Sequence, residues 1–341
     1  MPLKVVVYGV GPIGSLIAKT VLGKKGLELV GAIDIDPEKI DRDVGELIGL
    51  NEKVGVKVSG DADKTLCETK PDVVLHATRS YLDQIYPDIV KSINVDADFI
   101  STCETLAYPW YRYRELAILI DEMAKRHGVR VLGTGVNPGY RFDTLVGLLT
   151  AVCIDVDRIN VVLSLDAAKR RYSFQKKIGL GMKPDEFKEA LSKGLITAHV
   201  GYAESALLLA SMLGIKLDKI VENQEAIIAD KHYETKYFKI EPGMVRGIRG
   251  YSIGYIDDTE FVKLELIAAV GVDEYEEILI EGEPTIRWRN ENPLIPGDIA
   301  TAAMIVNVIP RVRLAPPGLL TMKDIILPTA VLGDITEWKL V

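Results

Sequence analysis

Leu3-Lys4-Val5-Val6-Val7-Tyr8-Gly9-Val10-Gly11-Pro12-Ile13-Gly14 decides the fold: a hydrophobic strand runs straight into a G-x-G-x-x-G spacing and then a helical pattern, and Asp34 closes the next apolar run. In this order the elements form a dinucleotide-binding fingerprint. Gly9 permits the tight turn and Gly11 lets the backbone approach a pyrophosphate. Pro12 and Ile13 open a helix whose first N–H groups receive phosphates, and Gly14 lets helix and strand pack closely. Asp34 lies twenty residues beyond Gly14, where a carboxylate accepts hydrogen bonds from a ribose diol and repels a 2′-phosphate. The expected cofactor is therefore NAD, with NADP possible. The bland alternative, a tight β-α turn that binds nothing, needs no acid at that spacing.

At 341 residues the chain exceeds the usual size of one domain, so two domains sharing a crevice are expected. A composition with 48% hydrophobic and 26% charged residues is that of an ordinary globular enzyme, and the apolar stretch at 206–215 is too short to span a bilayer. No membrane role is expected. The first strand begins without a basic region and cleavage site ahead of it, which points to the cytoplasm. The net charge of −8 argues against a nucleic-acid partner, because such binders present a basic excess. Cys67, Cys103 and Cys153 are scattered and odd in number, and His76, His127, His199 and His232 form no HxxxH pair, so neither a disulfide framework nor a protein-held metal is expected. Three glutamines against abundant Glu, Lys and Arg lean towards a thermostable protein.

Apolar runs at 54–58, 72–77, 97–102 and 129–133 read as short buried strands. The spacing predicts helices over 83–92 and 110–127, the second stopped by Gly128. This alternation predicts an α/β fold, a Rossmann doubly wound parallel sheet over residues 1–140. After Asn137-Pro138-Gly139 the pattern changes. Strands at 159–165, 220–228, 251–255, 261–272 and 276–280, with helices at 184–192 and 203–212, predict a second, α+β open-sheet domain over 141–292 with a mixed sheet. Residues 293–341 hold one more capped helix, 299–308 before Pro310, read as a segment returning to the first domain.

In open parallel sheets ligands occupy the crevice beyond the carboxyl ends of the strands, so the residues that follow each strand are the candidates. His76-Ala77-Thr78-Arg79-Ser80 offers Ala77 and Thr78 to line a cofactor ribose, or is simply a satisfied turn. Asn137 follows the last strand of the first domain. Glu104 follows the strand at 97–102 with no histidine beside it to act as base. A fixed carboxylate suits oxidation of an amine: it stabilises the cationic charge that develops as hydride leaves a C–N carbon, takes the ammonium proton and activates water. Cys103 is the competing candidate, a nucleophile for aldehyde oxidation with His199 or His76 as base, or a packed core thiol. A protein that senses NADH by domain closure, without turnover, is a third reading. In the second domain Arg170, Arg171 and Gln175 offer a cation and an amide to a substrate carboxylate. His199 is a substrate contact or a helix cap.

Ser101-Thr102-Cys103-Glu104, Tyr108-Pro109-Trp110, Gln175-Lys176-Lys177-Ile178-Gly179, His199-Val200-Gly201 and Gly297-Asp298-Ile299-Ala300-Thr301-Ala302-Ala303, all in order, resemble the 2,4-diaminopentanoate dehydrogenases and related native amine dehydrogenases over essentially the full length. The resemblance implies a dihydrodipicolinate-reductase-like architecture and NAD(P)-dependent, reversible deamination of the C4 amine of 2,4-diaminopentanoate to 2-amino-4-oxopentanoate and ammonia. It implies Glu104 as the catalytic carboxylate, an amine or diamino acid as the small-molecule substrate, and a homodimer or homotetramer joined sheet to sheet. Thr105 departs from the acid or other polar residue that many relatives carry after the glutamate.

Overall fold

A strand buried on both faces reads as an unbroken hydrophobic run. β1 (Leu3–Tyr8) is of this kind: Val5, Val6 and Val7 are 0% exposed in the computed structural model, which describes residues 1–291 and 294–338. Full burial of each valine contributes about 1.5–3 kcal/mol and pins β1 near the centre of its sheet. Gly11 caps α1 (Pro12–Leu22), whose leading proline lacks only an N–H that a helix start leaves unused, and β2 (Leu27–Ile33) returns beside β1. The short α2 (Val44–Leu47) and two-residue β3 (Val58–Ser59) follow. Then α3 (Ala62–Thr69), β4 (Val73–His76), α4 (Leu82–Ile93), β5 (Asp98–Ser101), α5 (Arg114–His127) and β6 (Arg130–Gly133) continue the alternation.

From Phe142 the chain builds a second compact unit, Phe142–Ile295. α6 (Thr144–Leu149) leads to the long β7 (Asp155–Asp166). α7 (Tyr172–Lys177), α8 (Pro184–Ser192) and α9 (Tyr202–Met212) precede β8 (Lys219–Ile228). β9 (Tyr233–Glu234) and β10 (Lys239–Ile240) pair with each other, and β11 (Val245–Ile256), β12 (Thr259–Ala269), β13 (Tyr275–Glu283) and β14 (Ile286–Glu291) complete the unit. Its main sheet runs β14-β13-β7-β12-β11-β8, antiparallel except where β7 lies parallel to β12. Alternate residues such as Val161, Leu163, Ile248, Leu264, Leu266 and Ile278 enter one core with Ala206 and Leu209 of α9.

The first unit comprises Met1–Arg141 and Pro296–Val341. Its later part supplies α10 (Gly297–Asn307), which packs against α1, then α11 (Ile309–Leu314) and β15 (Gly318–Leu320). The all-parallel sheet runs β15-β6-β5-β4-β1-β2-β3. The expected boundary at 292–293 falls on two residues outside the described set. One expectation needs correction. The strand expected over 54–58 is reduced to Val58–Ser59, because the Val54 and Gly55 amides donate to the Asp43 carboxylate instead of a ladder. The helix expected over 299–308 is α10, and Pro310 lies beyond it in the first turn of α11, where its fixed φ suits a helix start. β14 is an additional edge strand. No described helix is long and apolar enough to cross a membrane.

The segment at 307–338 is fastened by Arg311, which is 1% exposed although it carries a full charge. Its guanidinium donates to the carbonyls of Asn307 and Leu327, each at 2.9 Å, and to the Thr329 hydroxyl, and lies 4.3 Å from the centre of the Trp338 ring. Hydrogen bonds to an ionised donor are roughly twice as strong as neutral ones, and losing them strands buried carbonyls. Arg311→Leu is expected to destabilise the first unit by about 3 kcal/mol. A thermal unfolding scan should show the midpoint falling by several degrees, and an unchanged midpoint would contradict the clamp.

Candidate active site

The glycine turn has the geometry the fingerprint requires. Gly9 sits at φ +91°, and a Cβ there would lie 2.5 Å from the Ala77 carbonyl oxygen. At Gly14 a Cβ would lie 1.7 Å from the Gly9 oxygen, so α1 rests directly on the turn. Gly11 is the opposite case, with open space for 4 Å around a would-be Cβ. The α1 N-terminus has no side-chain cap and no acid in its first turn, and its first α-helical bond runs from Ser15 N to Gly11 O at 2.8 Å. The amides of Ile13 and Gly14 precede that bond, and the dipole there favours an anion.

Asp34 stands just past β2. One of its oxygens accepts from Val10 N at 2.7 Å and from Lys39 Nζ at 3.1 Å, and the other accepts from Asp36 N at 2.9 Å. Burial alone would raise this carboxyl, but the bonds from Asp36, Lys39 and Val10 hold it below the usual carboxylate range. Lys39, which also lies 3.3 Å from Asp36, is the residue that sequence reasoning missed. The signal available was a lysine five positions beyond the strand-end acid.

Glu104 opens a short 3-10 turn, Glu104–Leu106, directly beyond β5 and is half-buried. Thr105 beside it is fully buried: its amide and hydroxyl both donate to Ser80 O at 3.2 Å, and its hydroxyl accepts from Leu82 N, the first residue of α4, at 2.8 Å. The departure from an acid at this position thus ties the turn after β5 to the start of α4. Cys103 is 1% exposed, and its thiol is pushed up to about 12 by burial and by the charge of Glu104. The reading of Cys103 as a thiolate nucleophile is corrected on that ground. Its supposed base His76 is equally enclosed, with 0% exposure and three side-chain partners. Ala77 donates its N–H to Tyr8 O at 2.8 Å, and Thr78 is exposed with its hydroxyl 2.8 Å from His76 Nε2. Beyond β6, the turn that carries Asn137 is seated on α10 through Val136 N, which donates to Thr301 Oγ1 at 3.3 Å.

In the second unit, Arg170 and Arg171 immediately precede α7, both half-buried, and Arg171 Nε donates to Ser173 Oγ at 2.9 Å. Lys169 is drawn away to Glu274 at 2.7 Å. Gln175 is 0% exposed: its amide donates to Ala168 O and Arg170 O, at 3.3 and 2.7 Å, and its carbonyl accepts from Thr235 Oγ1 at 2.8 Å. It therefore holds the arginine segment in shape. His199 packs edge-on against Tyr202, with 4.7 Å between ring centres, and its amide donates to Gln224 Oε1 at 3.1 Å. Burial, with the charge of Lys177 adding to it, lowers the imidazole to about 3, so the ring is neutral at ordinary pH.

The family model of the 2,4-diaminopentanoate dehydrogenase C-terminal domain matches residues 140–339, and that of the dihydrodipicolinate reductase N-terminus matches residues 3–86. The chain is 33% identical to the 2,4-diaminopentanoate dehydrogenase of Acetoanaerobium sticklandii over 98% of this chain and 96% of that protein. It is 25% identical to the amine dehydrogenase of Streptomyces virginiae, over 96% of this chain and 98% of that protein. The solved amine dehydrogenase of Mycobacterium smegmatis superposes with a TM-score of 0.86 at 26% identity, covering 96% of this chain and 98% of that one. The two-sheet architecture is that of the dihydrodipicolinate-reductase-like proteins. The chain belongs to the 2,4-diaminopentanoate dehydrogenase family and is an oxidoreductase acting on the CH–NH2 group.

Proposed function

We propose that the chain catalyses NAD(P)-dependent oxidative deamination of the C4 amine of 2,4-diaminopentanoate to 2-amino-4-oxopentanoate and ammonia, reversible as reductive amination, in the cytoplasm and as a homodimer or homotetramer. The observation that carries this reading is the half-buried Glu104 carboxylate at the carboxyl edge of the parallel sheet, in a chain of this family. The first unit fits a dinucleotide: the space over Gly11 admits a pyrophosphate to the uncapped N–H groups of α1, and Asp34 offers its carboxylate to a ribose. Pro12 and Ile13 line the same turn, and Ala77, Thr78 and Asn137 follow strands of the same edge. A nicotinamide bound there supplies the hydride acceptor.

Glu104 then has three tasks. It takes the ammonium proton and passes it on to solvent, which leaves a neutral amine whose lone pair can expel hydride and restores the carboxylate. Its charge stabilises the iminium that forms on the substrate carbon. It next draws a proton from water as the oxygen attacks that carbon and returns it to the nitrogen of the resulting carbinolamine, from which ammonia leaves as the carbonyl forms. Arg170 and Arg171 offer a guanidinium to the substrate carboxylate, Gln175 holds their segment, and the neutral ring of His199 is available as a contact that adds no competing cation. NAD is favoured through Asp34. The adjacent Lys39 ammonium offers a partner to a 2′-phosphate, so acceptance of NADP is part of the same reading.

The first test is formation of reduced nicotinamide with 2,4-diaminopentanoate at alkaline pH, with NAD and NADP in parallel and simple amines and aldehydes as controls. Turnover of aldehydes alone would reject the proposal. Glu104→Gln is expected to lower kcat by about a hundred- to ten-thousand-fold while the cofactor dissociation constant stays within about twofold; wild-type turnover in this variant would remove Glu104 from the mechanism. Cys103→Ala should keep kcat within about threefold, since a buried protonated thiol is inert, and a collapse of turnover in a folded protein would restore the thiol reading. Lys39→Ala is expected to raise the KM for NADP about tenfold, ~1.4 kcal/mol, and to leave that for NAD within about twofold. Equal effects on both cofactors would show that Lys39 does not face the 2′ position.

A further inference from the structure

We propose that His76 is a positioning residue that holds the Glu104 turn in place through Ser101, an inference that rests on the reading of Glu104 as the catalytic carboxylate. His76 is the last residue of β4 and Ser101 the last of β5, so the parallel pairing of the two strands sets them side by side. Ser101 Oγ accepts from the Cys103 amide at 3.0 Å and lies 2.8 Å from His76 Nδ1. On the other side of the ring, Nε2 lies 2.8 Å from Thr78 Oγ1 and 3.3 Å from Asp88 Oδ2, while Tyr8 donates its hydroxyl to Asp88 Oδ1 at 2.7 Å. Tyr8 and Phe99 flank the imidazole, with ring centres 5.4 and 5.0 Å away.

The donors in this network have one consistent order. Burial lowers the His76 imidazole, and although Asp88 opposes that shift, the ring stays neutral with a single N–H. Burial alone would raise Asp88, yet the bonds from His76 and Tyr8 hold its carboxyl below the usual range, so it only accepts. The imidazole proton therefore sits on Nε2, facing Asp88 and Thr78, and Nδ1 accepts the Ser101 hydroxyl hydrogen. The series runs from the Cys103 N–H to Ser101, from Ser101 to His76, and from His76 to Asp88, every donor pointing the same way, an arrangement in which each bond polarises the next. It fixes the Thr102–Cys103 peptide, one residue ahead of Glu104. The bonds of Thr105 to Ser80 and Leu82 fix the residue just after it.

The same ring touches Thr78 on the cofactor side, so the branch to Ser101 is tested separately. Ser101→Ala cuts only that branch and removes one oxygen. It is expected to lower kcat on 2,4-diaminopentanoate by about tenfold or more, the scale of a reacting group held slightly out of place. NADH affinity, read from its fluorescence, should stay within about twofold of wild type. Hydrogen exchange of the 102–107 backbone in the ligand-free protein should speed up while the β1 and β4 amides keep their protection. His76→Leu should reproduce the loss, and His76→Asn, whose carbonyl oxygen can stand where Nδ1 accepts, should recover most of it. These two variants decide the matter if Ser101→Ala does not fold. Wild-type kcat with wild-type exchange at 102–107 would overturn the proposal, as would turnover and NADH affinity falling by the same factor. If the wild-type enzyme has no turnover on the diamino acid, the proposed function fails while the exchange data still decide whether His76 holds the turn.

Discussion

The carbonyl of Gly9 is the point against which the first unit is assembled. The helix start at Gly14 presses on it from one side, and Gly9 itself presses on the Ala77 carbonyl of the neighbouring strand's loop, at separations no side chain would allow. Close packing of backbone on backbone leaves little freedom in how α1, β1 and β4 sit together. From this contact the register spreads along the carboxyl edge. Gly9 N donates to Ile33 O, Ala77 N to Tyr8 O, Thr102 N to His76 O and Thr134 N to Ser101 O, so each strand continues its neighbour's ladder by one residue. Asp34, the glycine turn, Thr78 and Glu104 all hang from that continuous row of backbone bonds. Their relative placement is thus a property of strand pairing and not of loop flexibility, the condition under which a few side chains can act together on one ligand.

What could be read from sequence follows from burial. Parallel strands covered on both faces appear as runs such as Val5-Val6-Val7 or Val73-Val74-Leu75, and these were legible, as were helices whose apolar spacing ended at Gly128 or began at Pro184. Elements that depend on a distant partner were not. β15 is three residues that become a strand only by lying beside β6, and β3 is shorter than its apolar run because Asp43 captures the amides before it. β14 did carry a signal: Ile286 and Trp288 alternate with Arg287 and Arg289, the period of a half-exposed edge strand. The weight of charge hid it.

For the site, residue type picked out candidate segments but not what holds each residue there. Glu104, Cys103, His76 and Gln175 all looked chemically able. Enclosure separates them: Glu104 is only half-buried, whereas Cys103 is closed off and protonated, and His76 and Gln175 have their polar atoms committed to neighbouring turns. Thr105, which looked like a departure from pattern, serves the same end by tying α4 to the turn. A buried polar group must find partners, so its position is dictated by the residues it holds, and several of those, such as Ser101 for His76 and Thr235 for Gln175, lie far away in sequence.

Asp34 shows how a structural role and a proposed ligand-directed one combine in one group. Its carboxylate fastens Val10 of the glycine turn and Asp36 of its own loop, so removing it would free two backbone amides and slacken the turn along with any ribose contact. Under the proposed reading, cofactor preference therefore cannot be altered cleanly at Asp34. Lys39 is different, because its ammonium bonds only to the carboxylates of Asp34 and Asp36 among the described residues and supports no backbone. A carboxylate already neutralised by a neighbouring cation repels a 2′-phosphate far less than a bare one, and the cation adds an attraction of its own. Under the proposed reading the pair sets the balance between the two nicotinamide cofactors, with the lysine as the member free to change without cost to the turn.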